Sequence, residues 1–345
     1  MTTLTRKIGQ STVSPIGFGA MGLSGAYSKA LPDDERFQVL DAVYAKSGPG
    51  MHLDTADVYL DNEELIGKWL KRTGKRSDIF LATKFGFTAD PNRFVNGSPE
   101  YAREALDRSL KKLGVDYIDL FYLHRVDSTV PIEHTVAAMA EGVKAGKVKY
   151  LGLSECSAES LRRAHAVHPI AAVQCEYSPF TLDIEDEKIG LLKAARELGV
   201  AIVAYAPLGR GLITGSYKST DDLPKDDWRR TVPRQENGWL NLWTENFPNI
   251  LKLADGLKTI GEKHNCSAGQ VALAWLLAQG NDIIPIPGTT RIKHLEENIA
   301  AAQVKLTSAD LQEVRNEAQR ADAAHGDRYP PGMTELLFAD SPELE

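Results

Sequence analysis

Short runs of β-branched, aromatic and aliphatic residues alternate along the chain with longer segments in which apolar residues recur at helical spacing. Eight of the short runs have the length and composition of strands: Ile16–Gly19, His52–Ala56, Ile79–Phe85, Ile118–His124, Tyr150–Ser154, Ala171–Tyr177, Ala201–Ala206 and Ile283–Pro287. The helical segments between them include Asp33–Lys46, Pro99–Leu113, Ile132–Ala145, Glu185–Leu198 and Ile292–Ala302.

The order of these units indicates the fold class. The strands are apolar on both faces, which is typical of parallel sheets that are covered by helices. Because eight strand-then-helix units follow one another, we predict an α/β fold in which the strands close into a (β/α)8 TIM barrel. An open doubly wound sheet is the alternative, but eight units of even size in a chain of this length favour closure.

The seventh predicted strand is followed by an unusually long interval. The stretch Gly209–Asn249 holds Trp228, Trp239, Trp243 and Phe247 among charged residues and prolines. Loops of this length are usually functional or disordered. We therefore expect a long aromatic loop that forms a lid or a wall of the substrate pocket, with a loop that only packs on its own helices as the alternative.

The end of the chain differs from the barrel units. Ser267 and Gln270 have the spacing of a capping box that opens a helix running to Gln279. Beyond Ala323 the sequence loses its helical period, and we expect this irregular C-terminal tail to fold over one end of the barrel. Since no repeat, low-complexity segment or linker interrupts the chain, residues 1–345 are expected to form a single domain.

Gly17–Gly22 matches the G-x-G-x-x-G pattern of dinucleotide-binding folds. In those folds a helix begins directly after the glycines, so that its N-terminus meets the pyrophosphate. Here Leu23–Pro32 follows, and no helical pattern begins before Asp33. We interpret the glycines as a tight loop after the first strand, whose backbone can approach a ligand closely.

Composition and charge exclude several classes of protein. With 43% hydrophobic and 25% charged residues, the 345-residue chain is unlike disordered, collagenous or coiled-coil proteins. Its net charge of −7, without blocks of like charge, argues against binding to nucleic acid or to an anionic membrane. The apolar runs are too short to span a bilayer. Because the opening residues show no charged segment followed by an apolar core, we expect no secretory signal. The three cysteines suit neither a disulfide framework nor a zinc site. We expect a cytoplasmic protein without a metal.

Polar side chains stand at the ends of three consecutive predicted strands. Asp54 ends the second strand, and Tyr59 follows in the next loop. Lys84 lies near the end of the third strand, and His124 ends the fourth. Active sites of TIM barrels lie at this carboxyl end. A lysine in an apolar strand is costly unless it is paired, and Asp54 on the adjacent strand is its natural partner.

Together these four side chains can act as an acid. The Lys84 ammonium favours phenolate, and we expect it to lower the pKa of Tyr59 from about 10 toward neutral pH. Asp54 would hold Lys84 charged and in place. The His124 imidazole can orient a carbonyl or relay a proton. Tyr59 would then protonate a carbonyl oxygen as a hydride reaches the carbonyl carbon.

The chain resembles the aldo-keto reductases over nearly its full length. The motifs that carry the resemblance are His52-Leu53-Asp54-Thr55-Ala56 with Tyr59, Thr83-Lys84, His124-Arg125-Val126-Asp127, Gly152-Leu153-Ser154, Gln174-Cys175-Glu176-Tyr177-Ser178, Tyr205-Ala206-Pro207-Leu208-Gly209 and Ile286-Pro287-Gly288-Thr289-Thr290-Arg291 with Glu297-Asn298. Within the family, the Ser-Glu-Cys and Pro-Leu-Gly-Arg-Gly runs are similar to pyridoxal reductases and to plant reductases of the perakine-reductase type. The resemblance implies an NADPH-dependent carbonyl reductase in which Tyr59 is the general acid, Asp54 and Lys84 tune it, and His124 orients the substrate.

The resemblance also implies a set of residues for the cofactor NADP(H). Ser154 and Gln174 would hold the nicotinamide carboxamide, and Tyr205 would stack on the ring. The remaining contacts would come from Met21 near the first strand, from Pro207, Leu208, Gly209, Arg210 and Gly211 along the pyrophosphate, and from Gly288, Thr289, Thr290, Arg291, Glu297 and Asn298 at the adenosine end.

The chain departs from the family pattern at three positions. Glu155 follows Ser154 where many members have Asn. Gly288 and His294 stand where some branches carry a Lys and an Arg that bind phosphate. Arg291 must then supply most of the positive charge for a 2′-phosphate, a role that suits its planar guanidinium.

Two other functions are compatible with the barrel. A glycoside hydrolase would use strand-end carboxylates such as Glu155 and Glu176 as acid and base, but it would leave the four-residue acid set unused. A cofactor-binding regulatory subunit would keep the fold and the cofactor, as some relatives do in channels. The substrate is expected to be a small carbonyl compound, and the sequence leaves its identity and the oligomeric state open.

Overall fold

Ten strands and ten helices follow one another in a computed structural model that describes residues 4–25, 29–90, 93–219, 222, 247–324, 328–329 and 332–344. The strands are β1 (Arg6–Ile8), β2 (Ser11–Val13), β3 (Phe18–Gly19), β4 (Met51–Asp54), β5 (Ile79–Phe85), β6 (Ile118–Leu123), β7 (Val148–Ser154), β8 (Ile170–Glu176), β9 (Ala201–Tyr205) and β10 (Ile283–Pro285). The helices are α1 (Asp33–Ser47), α2 (Asn62–Thr73), α3 (Pro99–Leu113), α4 (Ile132–Lys144), α5 (Ala158–Val167), α6 (Leu191–Leu198), α7 (Phe247–Lys263), α8 (Ala268–Ala278), α9 (Ile292–Ala300) and α10 (Ser308–Ala321).

Strands β3 to β10 form one parallel sheet in the order of the sequence. The two outer strands of that order also meet, because Gly17 N donates to the Pro285 carbonyl at 2.9 Å and Gly19 N to the Pro287 carbonyl at 3.4 Å. The sheet is therefore closed, and the predicted (β/α)8 barrel is confirmed.

Side chains alternate between two cores, as the period of a strand requires. On β5, Phe80 and Ala82 belong to a cluster that fills the barrel interior. Leu81 and Phe85 face outward, into the larger core between the strands and the helices. Burial on both faces explains why the barrel strands are apolar throughout.

A hairpin of β1 and β2 covers the amino end of the barrel. Its Ile8 and Val13 side chains are buried in the interior cluster beside Phe80. Ser14 N, just after β2, donates to the Gly50 carbonyl at 2.9 Å and joins the hairpin to β4. The sequence reading missed this hairpin, since three-residue strands are too short to show a clear period.

Most predicted element bounds agree with the structure, and β5 and α3 match them to the residue. The capping box is confirmed, because Gln270 N donates to Ser267 Oγ at 3.2 Å and Ser267 N to Gln270 Oε1 at 3.1 Å. The helix predicted from Glu185 is wrong at its start. Gly190, with φ of +63°, ends a turn there, and α6 begins only at Leu191.

The glycine-rich loop after β3 continues as a short 3-10 turn over Ala20–Ser24, and α1 begins at Asp33. The rejection of a dinucleotide-binding motif is therefore confirmed. In the long segment after β9, Trp228, Trp239 and Trp243 lie outside the described residues, so the substrate wall predicted there stays a prediction. Phe247, the fourth aromatic residue, was wrongly assigned to the loop, because it begins α7 and is buried in the core between strands and helices.

The C-terminal tail lies over the carboxyl end of the barrel. Ser157 N donates to the Ala339 carbonyl at 3.0 Å, and Ser341 N to Ser160 Oγ at 3.1 Å. Upstream in the tail, the hydroxyls of Tyr329 and Tyr205 are 3.1 Å apart. The expected fold of the tail over one barrel end is confirmed. None of the helices in the described ranges combines the length and apolar character needed to cross a membrane.

Candidate active site

The alternation along the strands brings the predicted acid set to one place. On β5, Lys84 lies two residues beyond Ala82 and so faces the barrel interior. On β6, Leu120 and Tyr122 precede His124 in the same way. Asp54 ends β4, the neighbour of β5, and the site therefore forms where three adjacent strands end.

Lys84 and Asp54 form a buried ion pair. The Lys84 side chain is 0% exposed, and its Nζ donates to Asp54 Oδ1 at 2.5 Å and to the Thr55 carbonyl at 2.8 Å. The second carboxylate oxygen of Asp54 accepts from Gln174 Nε2 at 2.8 Å. Burial lowers the pKa of Lys84, but Asp54 and Tyr59 raise it more, so the ammonium stays charged. The predicted pairing is present.

Tyr59 lies above this ion pair. Its ring centroid is 5.0 Å from Lys84 Nζ, and its edge meets the His124 ring with centroids 5.8 Å apart. Burial raises the pKa of Tyr59 above its usual 10, although Lys84 acts in the opposite direction. The expectation of a lowered pKa is wrong here, because removing the phenol from water disfavours phenolate more than the ammonium favours it. The phenol is protonated at neutral pH, the form that can donate a proton.

His124 is a neutral imidazole. Burial, together with the charges of Lys84 and Arg125, holds its pKa well below 6.5. Its Nδ1 is buried and has no hydrogen-bond partner among the described residues. The Phe87 ring packs on it with centroids 4.8 Å apart. A neutral imidazole carries one N–H, and so it can donate a hydrogen bond to a carbonyl oxygen without adding charge.

The acid set and the predicted cofactor residues share one cavity of about 810 Å³. The predicted residues that line it are Met21, Asp54, Tyr59, His124, Ser154, Gln174, Tyr205, Pro207, Leu208, Arg210, Gly211, Gly288, Thr289, Thr290, Arg291, Glu297 and Asn298. Two predicted residues do not line it. Lys84 is buried against Asp54, and Gly209 is buried in a 3-10 turn with φ of +54°.

One end of this cavity has the chemistry of a phosphate site. The backbone N–H groups at the start of α9 receive no side-chain cap, and Arg291 directly precedes them. A helix N-terminus beside a cation binds phosphate, since the N–H groups and the helix dipole both favour negative charge. Gly288 lets the wall close there, because a Cβ at this position would lie 2.4 Å from the Gly19 carbonyl oxygen. These residues fit the adenosine phosphate of NADP(H).

Glu155 supports the cavity from behind. It is fully buried, has φ of +50°, and accepts from the Tyr205 hydroxyl at 2.8 Å and from Glu176 N at 2.9 Å. Arg328 of the tail lies 3.5 Å from Glu155 and 3.7 Å from Glu176. Glu176 also accepts from Arg210 at 3.3 Å. Neither carboxylate lines the cavity, and Glu155 holds the Tyr205 hydroxyl in place from behind the cavity wall.

Sequence reasoning missed two arginines of this region. Arg328 follows the barrel by many residues, and no pattern could pair it with Glu155. Arg125 lines the cavity and is 5% exposed. The signal that could have found it is its position directly after His124 at the end of a barrel strand.

Apolar side chains complete the cavity wall beside the acid set. Phe87, which packs on His124, also packs on Phe94 with ring centroids 5.1 Å apart. Val58 next to Tyr59, and Tyr329 and Met333 of the tail, line the same space. The region around the Tyr59 hydroxyl is thus suited to a small organic molecule with an apolar part.

Comparison with known proteins gives a consistent family. Residues 15–318 match the model of the aldo/keto reductase family. The chain is 59% identical to aldo-keto reductase str7 of Strobilurus tenacellus, over 99% of this chain and 98% of that protein. It is 48% identical to aldo-keto reductase yakc [NADP(+)] of Schizosaccharomyces pombe, over 100% of this chain and 99% of that protein.

A solved structure agrees in fold. The glycerol dehydrogenase AKR11B4 from Gluconobacter oxydans superposes with a TM-score of 0.80 and is 26% identical, covering 96% of this chain and 99% of that one. The likeness therefore extends from the sequence to the whole architecture.

Proposed function

The chain belongs to the aldo/keto reductase family, and from this premise we propose that it reduces an aldehyde or ketone to the alcohol with NADPH, using Tyr59 as the general acid. Membership confirms the predicted family and the reductase class, and it agrees with the predicted cofactor NADP(H). The reducing role, the substrate class and the part played by each residue are the content of the proposal.

NADPH, when bound, supplies the hydride. The start of α9 and Arg291 would hold its adenosine phosphate, and Ser154 and Gln174 lie opposite each other on β7 and β8, where they would hold the carboxamide. Tyr205, fixed by its hydrogen bond to Glu155, would support the nicotinamide ring.

The other site residues would act on the carbonyl oxygen of the substrate. The Tyr59 hydroxyl and the neutral His124 imidazole would both donate to the carbonyl oxygen, which polarises the carbonyl and fixes its direction. As negative charge develops on that oxygen, Tyr59 gives it a proton. The Lys84 ammonium stabilises the phenolate left behind, and Asp54 keeps Lys84 in place.

The observation that carries the proposal is the buried Lys84–Asp54 pair under Tyr59. Tyr59 lines the cavity whose other end would bind the phosphate. A cation without access to solvent, 5.0 Å from a phenol ring, has an evident use if that phenol loses its proton during the reaction.

The two alternatives are less well supported by the site. A glycoside hydrolase needs two carboxyl groups facing the substrate, whereas Glu155 and Glu176 do not line the cavity and lie against Arg328 and Arg210. A regulatory subunit would need the cofactor residues but not the complete acid set, which is present here. Turnover distinguishes these functions.

The test is a panel of aliphatic and aromatic aldehydes, pyridoxal among them, incubated with the full-length protein and NADPH while NADPH absorbance is followed. We expect consumption that depends on both protein and aldehyde, with the alcohol as product. Binding of NADPH without turnover of any aldehyde would favour the regulatory function, and release of sugar from aryl glycosides would favour the hydrolase.

A further inference from the structure

Arg125 is a buried cation that forms no ion pair among the described residues, although the buried Glu155 carboxylate acts on its charge from farther away. It is 5% exposed, and no carboxylate oxygen among the described residues lies within the ion-pair distance of 4.0 Å. Its Nη1 donates to the His124 carbonyl at 2.7 Å and to Ser154 Oγ at 3.3 Å, both of which are neutral acceptors. Its guanidinium carbon lies 5.7 Å from the Phe87 ring centroid.

Neither the other two arginines that line the cavity nor Arg328 behind its wall shares this condition. Arg210 donates to the buried carboxylate of Glu176 at 3.3 Å. Arg291 is exposed, so water stabilises its charge. Arg328 of the tail is paired with Asp183 at 3.0 Å and lies near two further carboxylates. Arg125 is thus set apart among the described cations around the site.

A buried charge is costly unless it is paired, and an arginine carries five N–H groups that need acceptors. Both hydrogen bonds come from Nη1, so Nε and Nη2 have no acceptor among the described residues, and the side chain lines the cavity. A carboxylate is the acceptor that matches the planar fork of a guanidinium, and charge-assisted hydrogen bonds of this kind are the strong ones. A carboxylate partner for Arg125 is therefore expected to arrive with a ligand.

The neighbours of Arg125 define which part of a ligand it meets. Phe87 contacts both the Arg125 guanidinium and the His124 ring, and His124 contacts Tyr59. A carbonyl oxygen held by Tyr59 and His124 therefore lies in the part of the cavity that Phe87 and Arg125 also line. An anionic group close to the carbonyl carbon is the part of such a ligand that meets Arg125.

We propose that Arg125 selects carbonyl substrates that carry a carboxylate next to, or a few bonds from, the reacting carbonyl, such as 2-oxo acids and short aldehyde acids. This inference rests on the proposed function and adds its substrate class. Arg125 acts as a specificity residue, because it binds a part of the substrate that does not react.

The experiment compares each acid with its methyl ester, which keeps the carbon skeleton and removes the charge. The pairs are phenylglyoxylate with methyl phenylglyoxylate, and 4-oxobutanoate with methyl 4-oxobutanoate. For each substrate kcat/KM is measured with NADPH at constant ionic strength, in the wild type and in Arg125→Met and Arg125→Lys. Arg93→Met is the control, since Arg93 carries a charge near this end of the barrel, pairs with Asp127 at 3.2 Å and does not line the cavity.

We expect the ratio of kcat/KM for acid over ester to fall roughly 10-fold or more in Arg125→Met for at least one pair, the size expected for one charge-assisted hydrogen bond. Arg125→Lys should keep part of the preference, and Arg93→Met all of it. The Kd of NADPH, measured by quenching of protein fluorescence, should change less than about 3-fold in every variant. A cooperative thermal unfolding transition near the Tm of the wild type would show that the variants are folded.

Three results would overturn the inference. One is an acid-over-ester ratio that is the same in the wild type and in Arg125→Met. Another is a loss of NADPH affinity in Arg125→Met as large as the loss of activity, which would assign the arginine to the cofactor. The third is a combined outcome: neither Arg125 variant folds, and the wild type prefers neither acid over its methyl ester. If the wild type reduces none of the four compounds and no aldehyde of the wider panel, the proposed function itself fails.

Discussion

Arg291 directly precedes the uncapped start of α9 and lines the cavity at that end. The next cation along the chain, Lys293, lies on the exposed side of the same helix and does not line the cavity. Two residues with the same charge and only two positions apart therefore differ in their access to the cavity. This difference gives a matched pair of variants.

We expect Arg291→Ala to weaken NADPH binding roughly 10- to 100-fold and to leave NADH binding nearly unchanged. The reason is the loss of a charge-assisted hydrogen bond of about 1.5–3 kcal/mol to the 2′-phosphate, which NADH lacks. Titration of protein fluorescence with each cofactor measures both constants, and Lys293→Ala serves as the control. An equal loss for the two cofactors would show that Arg291 does not bind the phosphate.

The limits of sequence reasoning are clear at single residues. Asp54 and Lys84 were predictable as a pair, because neighbouring strands and a period of two leave few other arrangements. The direction of the Tyr59 pKa was not, since it depends on how completely the surroundings exclude water. The Glu155–Arg328 contact was not predictable either, because its partners are 173 positions apart and no local pattern links them.

At the level of elements, the β1–β2 hairpin covers the start of β4, and a buried histidine on β4 makes the stability of the protein depend on pH. His52 on β4 is fully buried, and His52 N donates to Ser14 Oγ, just after the hairpin, at 3.2 Å. Neither ring nitrogen has a hydrogen-bond partner among the described residues. Burial lowers the pKa of His52 to about 4 from the usual 6.5.

Between pH 6.5 and pH 4 the unfolded chain takes up a proton at His52 that the folded protein does not, so stability falls as pH falls through this window. Comparing pH 7 with pH 4.5, we expect wild type to lose roughly 2 kcal/mol more free energy of unfolding than His52→Gln. Urea unfolding at the two pH values gives the difference.

A second buried group and a control variant complete the design. Burial raises the pKa of Asp57 to about 7, so Asp57 changes the stability in the opposite direction as pH falls, but it does so equally in both proteins. His134 is exposed, so His134→Gln should lose as much free energy of unfolding between the two pH values as the wild type. Equal losses in the wild type and in His52→Gln would contradict the assignment of the pH dependence to His52.

The elements themselves were largely predictable. Strands such as β5 are apolar on both faces and carry polar residues only near their carboxyl end, and α3 begins at Pro99 after the cap Ser98 and ends before Gly114. The start of α6 was missed because the residues before it, Glu185-Asp186-Glu187-Lys188-Ile189, contain neither glycine nor proline, although they lead into a turn that ends at Gly190. Local pattern cannot separate such a turn from the first turns of a helix.

At the scale of the whole molecule, the barrel joins groups that are far apart in the chain. The loop after β4 supplies Tyr59, β5 supplies the cation below it, His124 directly follows β6, and the segment after β10 supplies Arg291 and the uncapped start of α9. The tail covers the same face and contributes Tyr329. The central claim is that this assembly serves one proton transfer from Tyr59 to a carbonyl oxygen.

The most direct test is the activity of Tyr59→Phe with a reducible aldehyde. The substitution removes the proton donor and keeps the ring, so the fold and the NADPH affinity should stay near those of the wild type. General acid catalysis contributes about 10²–10⁴-fold, and kcat should fall by about that factor. Tyr44→Phe, which removes a hydroxyl bonded to Asp78 far from the cavity, should keep full activity. A Tyr59→Phe protein that binds NADPH and still reduces the aldehyde at most of the wild-type rate would contradict the account.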